Sequence, residues 1–225
     1  MKWSPKPVVA LALLLGGCAT NTFTQFYRDY TAGTPRSDLD RALQPYSGTT
    51  RIVMTGDSQK DTTELFRQNY AILGESTFEW GKAPSEEELR EQARRAGADV
   101  VLYRARYPVG QGFAYDALFF RKRKASVAGL GIADLTGELR QALHGEKGVV
   151  VRYVREESPA SRSDFRDGDV IVGIDGVQVG STTDYIDKVL KRAGTECTFK
   201  VLRGGKELAI PIRLNALPVP AARAQ

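Results

Sequence analysis

Few of the residue types that carry catalysis stand in this chain at the spacing that a reaction requires. A serine protease needs a histidine as general base, and the 225 residues include one histidine, His144, in the polar stretch Leu143-His144-Gly145. No Gly-x-Ser-x-Gly turn accompanies it. Neither Thr55-Gly56-Asp57-Ser58 nor Ile174-Asp175-Gly176 matches the Asp-Thr/Ser-Gly signature of a two-aspartate protease. We therefore interpret His144 as a solvated loop residue.

Metal and cofactor chemistry are not indicated either. The acidic run Glu86-Glu87-Glu88 follows Ser85, and acidic residues at this place are typical of a helix start rather than of a ligand set. No glycine-rich phosphate loop follows a strand and opens a helix. The sequence therefore predicts a protein that is not an enzyme and that uses no metal and no cofactor.

The N-terminus has the layout of a secretory signal peptide. A short positive region with Lys2 and Lys6 precedes the apolar run Val8–Leu15, which is too short to span a bilayer. Gly16 and Gly17 then supply the small residues of a cleavage site. We predict that residues 1–17 are this signal peptide.

Cys18 follows directly, and Leu15-Gly16-Gly17-Cys18 resembles the lipobox of bacterial lipoproteins. The resemblance implies acylation of Cys18, palmitate-type chains among them, and a stable anchor in the lipid bilayer, because several chains bind far more tightly than one. Ala19 rather than Asp follows, which in a Gram-negative host implies the outer membrane, facing the periplasm. The alternative is an ordinary cleaved signal with a chance cysteine.

Composition and charge indicate a globular protein without a nucleic-acid partner. Hydrophobic residues make up 42% and charged residues 26%, with a formal net charge of +5. The basic run Arg121-Lys122-Arg123-Lys124 could touch anionic headgroups or phosphate, but such runs are more often solvated linkers or strand ends. No nucleic-acid-binding module is visible. Cys197 alternates in step with Phe199 and Val201, which predicts a buried, inert thiol.

The fold class predicted is α+β, with a small N-terminal α/β domain followed by a second domain. Residues 18–50 are interpreted as the lipid anchor and a tether. Phe23, Phe26, Tyr27 and Tyr30 have the spacing of one helical face, which could lie in the lipid interface or dock on the protein's own first domain.

The α/β domain is expected over residues 51–124. Strands are predicted at 51–54, 70–78, 99–103 and 113–120, with a helix that begins after Ser85 and ends at Gly97. The stretch from Leu73 to Tyr107 resembles a unit found in small bacterial envelope lipoproteins and stress sensors, which implies no more than residence in the envelope.

The stretch SPASRSDFRDGDVIVGIDGVQV, Ser158 to Val179, resembles the PDZ modules of bacterial secreted serine proteases. A PDZ domain, a small β-barrel or sandwich with helices, is therefore expected over residues 125–214, and residues 215–225 are expected to be a flexible tail. Asp175-Gly176 and Arg203-Gly204-Gly205-Lys206 predict two hairpins, and residues 183–192 predict a helix. Where relatives carry Ala-Gly-Leu this chain has Ser163-Asp164-Phe165, in which Phe165 can fill the apolar position.

The PDZ resemblance implies a peptide-binding groove. A partner's C-terminal or extended segment adds a strand to an exposed edge, and backbone amides of the preceding loop hold its carboxylate. That loop corresponds to Gly129-Leu130-Gly131-Ile132, close to the Gly-Leu-Gly-Phe form of many PDZ domains. The groove-facing helix residues are predicted to be Ile186 and Leu190, with Val189 turned towards the core.

These observations predict a membrane-anchored, non-catalytic envelope lipoprotein that captures segments of envelope proteins in its PDZ groove. The alternative is a structural or assembly component in which the N-terminal domain binds the partner and the PDZ domain only packs.

Overall fold

The computed structural model describes residues 27–78, 83–109 and 112–217. Within these ranges the chain forms two antiparallel-rich sheets with helices packed on them. We call residues 27–124 the first domain and residues 125–217 the second domain. The mixture of sheets and helices confirms the predicted α+β class. Cys18, the signal peptide, Phe23 and Phe26 lie outside the described residues.

The first domain is a five-stranded sheet in the order β1-β3-β5-β4-β2. Only β2 and β4 pair in parallel; the other described pairs are antiparallel. Its elements are β1 (Tyr27–Asp29), α1 (Arg36–Ala42), β2 (Arg51–Met54), α2 (Ser58–Arg67), β3 (Tyr70–Phe78), α3 (Glu86–Ala96), β4 (Val100–Val109) and β5 (Gly112–Lys122).

Helices cover both faces of this sheet because its central strands are apolar on both sides. Phe119 and Phe120 are neighbours on β5, point to opposite faces, and are both completely buried. Phe119 joins the core under α3, with Leu89 and Ala93. Phe120 joins the core under α2, with Leu65. The first domain is therefore a three-layer arrangement.

The structure departs from the expected tether over residues 18–50. From Tyr27 onwards these residues belong to the first domain, with β1 paired to β3 and Leu43 buried in the core. Tyr27 and Tyr30 do not share a helical face, since Tyr27 lies in a strand. Tyr27 does dock on the domain: its ring meets Phe119 edge-on, with centroids 5.4 Å apart.

Local sequence signals placed α3 well, whereas α2 was not predicted. Ser85 and Glu88 form the expected capping box, and Gly97 ends α3 in the left-handed conformation. Asp57 caps α2 by accepting a hydrogen bond from the Lys60 amide at 3.0 Å. Strand β5 ends at Lys122, within the basic run Arg121-Lys122-Arg123-Lys124, which agrees with the interpretation of this run as a strand end.

The second domain carries its strands in the order β11-β10-β8-β7-β6, with β9 paired to β8. Every described pair in this sheet is antiparallel. Its elements are β6 (Leu130–Asp134), α4 (Gly137–Ala142), β7 (Val149–Val154), a 3₁₀ turn (Ala160–Arg162), β8 (Val170–Ile174), β9 (Val177–Gln178), α5 (Thr182–Lys191), β10 (Glu196–Arg203) and β11 (Lys206–Arg213).

Strand β8 forms the centre of this domain. All five of its residues are buried, and the Asp175–Gly176 and Gly204–Gly205 turns are the two predicted hairpins. Phe165 is buried and meets Phe199 edge-on at 5.3 Å, so it fills the apolar position as predicted. Asn215 remains ordered, since its amide donates to the Val127 carbonyl at 2.9 Å, so the expected tail does not begin at residue 215.

The two domains contact each other through the end of α2. Phe66 stacks on Tyr153 of β7, with ring centroids 5.8 Å apart. Arg67 forms an ion pair with Asp167, and its carbonyl accepts a hydrogen bond from the Glu156 amide at 2.8 Å. The first domain therefore rests against β7 and the residues that follow it.

Candidate peptide-binding groove

The edge strand β6 offers hydrogen-bonding groups on the side away from β7. It pairs with β7, and in the described part of the chain no strand lies on its other side. The Gly129 carbonyl accepts a hydrogen bond from the Arg155 amide at 2.8 Å, so Gly129 faces β7. Because antiparallel strands alternate, the N–H and C=O groups of Leu130 point away from β7. A guest strand could bind to them.

The loop that leads into β6 requires glycine at position 129. Gly129 has φ of +87°, and a Cβ atom there would lie 2.1 Å from Cβ of Ser158. Ser158 cannot easily move, because it is buried and its Oγ donates to the Arg155 carbonyl at 2.6 Å. The loop is thus packed directly on the 3₁₀ turn, where the Ala160 amide donates to the Ala128 carbonyl at 2.9 Å.

Gly131 serves a different purpose, which is to admit the ring of Tyr153. A Cβ atom on Gly131 would lie 2.2 Å from Cζ of Tyr153. The same ring stacks on Phe66 and lies under the guanidinium of Arg155, at 5.6 Å from the ring centroid. Strand β6 is therefore braced from behind by the first domain, with a positive charge close to the loop.

Helix α5 forms the opposite wall. Ser181 caps it by accepting a hydrogen bond from the Asp184 amide at 3.2 Å. The Thr182 amide donates to Oδ1 of Asp134 at 2.7 Å, which ties the start of α5 to the end of β6. This clamp fixes the width of the groove at one end.

The apolar residues of α5 fall into a buried pair and an exposed pair. Tyr185 and Val189 are buried in the core of the second domain. Ile186 and Leu190 remain 50% and 44% exposed, which is high for large apolar side chains. They lie four residues apart and so form one apolar strip on the helix.

The structure places the predicted groove residues as follows. Gly129 lies in the loop, Leu130, Gly131 and Ile132 lie on β6, and Ile186 and Leu190 lie on α5, which contacts β6. Leu130 contributes its backbone to the edge, since its side chain is buried in the core. The sequence missed the Asp134–Thr182 clamp and the Tyr153–Phe66 brace.

Cys197 is buried, free, and on the core face with Phe199, as its alternation predicted. Burial, with a smaller contribution from the negative charge of Asp175, raises the pKa of the Cys197 thiol to about 11. Because the folded state favours the protonated thiol, Cys197 contributes to the free energy of unfolding in full below a pH of about 9. This contribution is lost as the pH rises through about 11.

We expect the Cys197 thiol to resist iodoacetamide at pH 8 in the folded protein, since alkylation requires an accessible thiolate. Unfolding in guanidinium should accelerate labelling by about two orders of magnitude. Mass spectrometry of the peptide that contains Cys197 measures both rates. Equal rates in the folded and unfolded chain would contradict a buried, inert thiol.

The family comparison agrees with this geometry. Residues 126–214 match the family model described as PDZ domain. These residues form a PDZ domain. A probable periplasmic serine endoprotease DegP-like of Pseudomonas putida strain F1 is 32% identical over 95 residues, which are 41% of this chain and 20% of the relative. A protein of the same description from Hahella chejuensis is 28% identical over 93 residues, 40% of this chain and 20% of that protein.

Among solved structures, the HtrA3 PDZ domain bound to the phage-derived ligand FGRWV is 25% identical. The match covers 39% of this chain and 83% of that chain, with a TM-score of 0.35. The chain spans about a fifth of the length of the curated relatives it matches. The family match is to the PDZ domain, and it does not include the protease domain of these relatives.

Three further features that the sequence analysis considered lie outside the groove. His144 is exposed in the turn after α4. Within residues 27–78, 83–109 and 112–217, no group of three or more metal-ligating side chains could hold an ion. In the same ranges, no helix is long and apolar enough to cross a membrane.

Proposed function

We propose that the PDZ domain captures C-terminal or extended segments of envelope proteins by strand addition to β6. The observation that carries this proposal is that β6 has an edge unpaired by any described strand and contacts the helix that bears the exposed residues Ile186 and Leu190. Backbone hydrogen bonds along β6 would supply affinity, and the apolar strip on α5 would select a hydrophobic side chain of the guest.

A free C-terminus suits this groove better than an internal segment. The guanidinium of Arg155 lies over Tyr153, whose ring covers Gly131 at the loop end of β6. A positive charge near backbone amides favours a carboxylate. The apolar side chain of the guest's last residue would then contact Ile186 and Leu190.

The setting of this activity is also part of the proposal. Acylated Cys18 would anchor the chain in a membrane of the envelope, in a Gram-negative host the outer membrane facing the periplasm. The named relatives are periplasmic proteases, which supports an envelope setting. Confinement to a surface raises the effective concentration of partners, so a groove of modest affinity suffices for a non-catalytic adaptor.

A second candidate function rests on the contact between the domains. Phe66 and Arg67 hold the first domain against the PDZ domain through Tyr153 and Asp167. Such packing would suit an assembly component in which the first domain binds the partner. This contact is made through β7, and within the described residues no strand lies on the other side of β6, so the groove proposal is the stronger one.

Phage display of C-terminal peptides on the full chain should enrich one motif that ends in an apolar residue. Replacing Ile186 with lysine should weaken the enriched peptide by about tenfold or more, because burial of a large apolar side chain is lost. Fluorescence anisotropy of a labelled peptide measures the affinity.

The matched control is Met54→Lys, which places the same charge at an apolar residue that is 64% exposed on β2 of the first domain. It should leave the affinity unchanged. Equal loss in both variants, or no enriched motif at all, would argue for the assembly function instead.

A further inference from the structure

A cavity lies in the first domain, away from the peptide groove of the second domain. It has a volume of about 510 Å³. Its walls come from β1, β3, β5, α1, α3 and the turn after β1, and they include Tyr27, Arg36, Gln92, Arg95 and Arg121. Cavities of this size are typical of small-molecule sites.

Gln92 is the least expected residue in this wall. It lies on the face of α3 that packs on the sheet, between Leu89 and Ala93, and is only 2% exposed. Its Oε1 atom is buried and has no hydrogen-bond partner within the described chain. A buried amide without a partner destabilises the fold, and such positions on amphipathic helices are normally apolar. A group that donates a hydrogen bond to Oε1 would remove this cost.

Arg121 supplies a cation to the same cavity. Its Nε atom is buried without a partner, and no carboxylate of the described residues forms an ion pair with it. Its guanidinium lies over the ring of Tyr46, at 5.9 Å from the centroid. The other two arginines of the wall differ, since Arg36 pairs with Asp40 at 3.3 Å and Arg95 pairs with Glu91.

Tyr27 adds a hydroxyl group. The side chain packs across Gly74, where a Cβ atom would lie 2.5 Å from the Tyr27 hydroxyl oxygen. Burial raises the pKa of Tyr27, so the hydroxyl stays protonated and remains a donor at neutral pH. Two strands and one helix therefore bring a phenol, a guanidinium and an amide to one cavity: Tyr27 from β1, Arg121 from β5 and Gln92 from α3.

We propose that this cavity binds a small carboxylate that carries an adjacent amide, of the size of an N-acyl amino acid. The guanidinium of Arg121 would bind the carboxylate, a match that arginine makes with two parallel hydrogen bonds. The amide N–H of the ligand would donate a hydrogen bond to Oε1 of Gln92, the buried acceptor that has no partner within the described residues. Asp29, on the same wall, already accepts from the amide and hydroxyl of Thr31, at 2.7 Å each.

N-acetylglycine is the probe for this site, because one residue is too short to add a strand to β6. The full chain, purified in detergent and labelled with ¹⁵N in the glutamine side chains, is titrated and followed by NMR. The Gln92 side-chain signal, assigned by its loss in Gln92→Leu, should shift saturably. N-acetylglycinamide, which lacks the charge, should bind at least about tenfold more weakly.

Two arginine variants test the geometry, since both remove one positive charge from the same wall. Arg121→Gln should weaken N-acetylglycine by about tenfold or more, whereas Arg95→Gln should change its affinity by less than about threefold, because Arg95 is already paired and exposed. Gln92→Leu should abolish binding and raise the melting temperature of the ligand-free protein.

Three results would overturn the proposal. They are the absence of a saturable shift of Gln92 with N-acetylglycine, equal affinity for the acid and its amide, and equal losses in Arg121→Gln and Arg95→Gln. The comparison of acid and amide uses the unaltered protein, so it decides the question even if a variant fails to fold. Peptide binding in the groove is independent of this cavity, so Ile186→Lys should leave the N-acetylglycine titration unchanged.

Discussion

Replacing Gly129 with alanine is expected to abolish peptide binding and to lower the free energy of unfolding by about 3 kcal/mol. The added Cβ would meet the Ser158 side chain at 2.1 Å, and the backbone has φ of +87°, which alanine adopts at a cost. The loop can relieve the clash only by moving away from the 3₁₀ turn. That movement would break the hydrogen bond from the Arg155 amide to the Gly129 carbonyl and shift the amide of Leu130.

Chemical denaturation measures the loss of stability, and peptide titration measures the loss of binding. Gly137→Ala is the matched control, because Gly137 opens α4 in the same domain and a Cβ there meets nothing within 4 Å. It should change the free energy of unfolding by less than about 1 kcal/mol and leave binding intact. Peptide affinity that survives in Gly129→Ala would show that the loop amides do not hold the guest.

The parts of the fold that the sequence predicted are those with short-range causes. The Asp175–Gly176 turn has positive φ at both residues, 50° and 76°, and this turn type is encoded by the dipeptide itself. The capping box of α3 joins Ser85 to Glu88, three residues apart. Strand β8 could be recognised because its apolar residues are continuous.

Helix α2 escaped prediction because little of it is buried. Only Leu65 is buried among its ten residues, so the apolar period is weak. The cap Asp57, followed by polar helix formers, was the signal that could have located it. Phe66 did not make the apolar pattern of α2 clearer, because it contacts Tyr153 of the second domain as well as the core of its own domain.

The features of the groove that the sequence missed join residues far apart in the chain. The bond from Thr182 to Asp134 spans 48 residues, and the stack of Phe66 on Tyr153 links two different domains. No periodicity or turn signal pairs such residues. The same reason explains why residues from Tyr27 onwards were predicted to be a tether. Only the pairing of β1 with β3, which lie far apart in the chain, shows that Tyr27 belongs to the first domain.

The turn before β8 depends on one buried ion pair, and Arg203→Met is expected to lower the free energy of unfolding by about 3 kcal/mol. The Asp169 side chain is fully buried. The guanidinium of Arg203 donates to both of its oxygens, at 2.6 and 2.8 Å, and the Arg166 amide donates to Oδ2 at 2.9 Å. The bonds that the Arg203 guanidinium donates to Asp169, and after them its bond to the Asp164 carboxylate at 2.9 Å, raise the pKa of Arg203, so the guanidinium keeps its charge at neutral pH.

Removing Arg203 leaves the Asp169 carboxylate buried without its cation, which is the costly half of breaking a buried pair. The double variant Asp169→Asn/Arg203→Met should therefore be more stable than Arg203→Met alone, because no charge remains buried. Arg213→Met is the matched control: its partner Glu196 is 74% exposed, so the change should cost less than about 0.5 kcal/mol.

Urea denaturation of the four proteins measures these differences. The carbonyl of Asp169 accepts from the Val151 amide at 2.8 Å, so disorder in this turn would reach β7 and the strand pair that carries the groove. Peptide affinity should accordingly fall with stability in Arg203→Met and recover in part in the double variant. If Arg203→Met and Arg213→Met cost the same, the Asp169 pair does not hold the turn, and the groove does not depend on it.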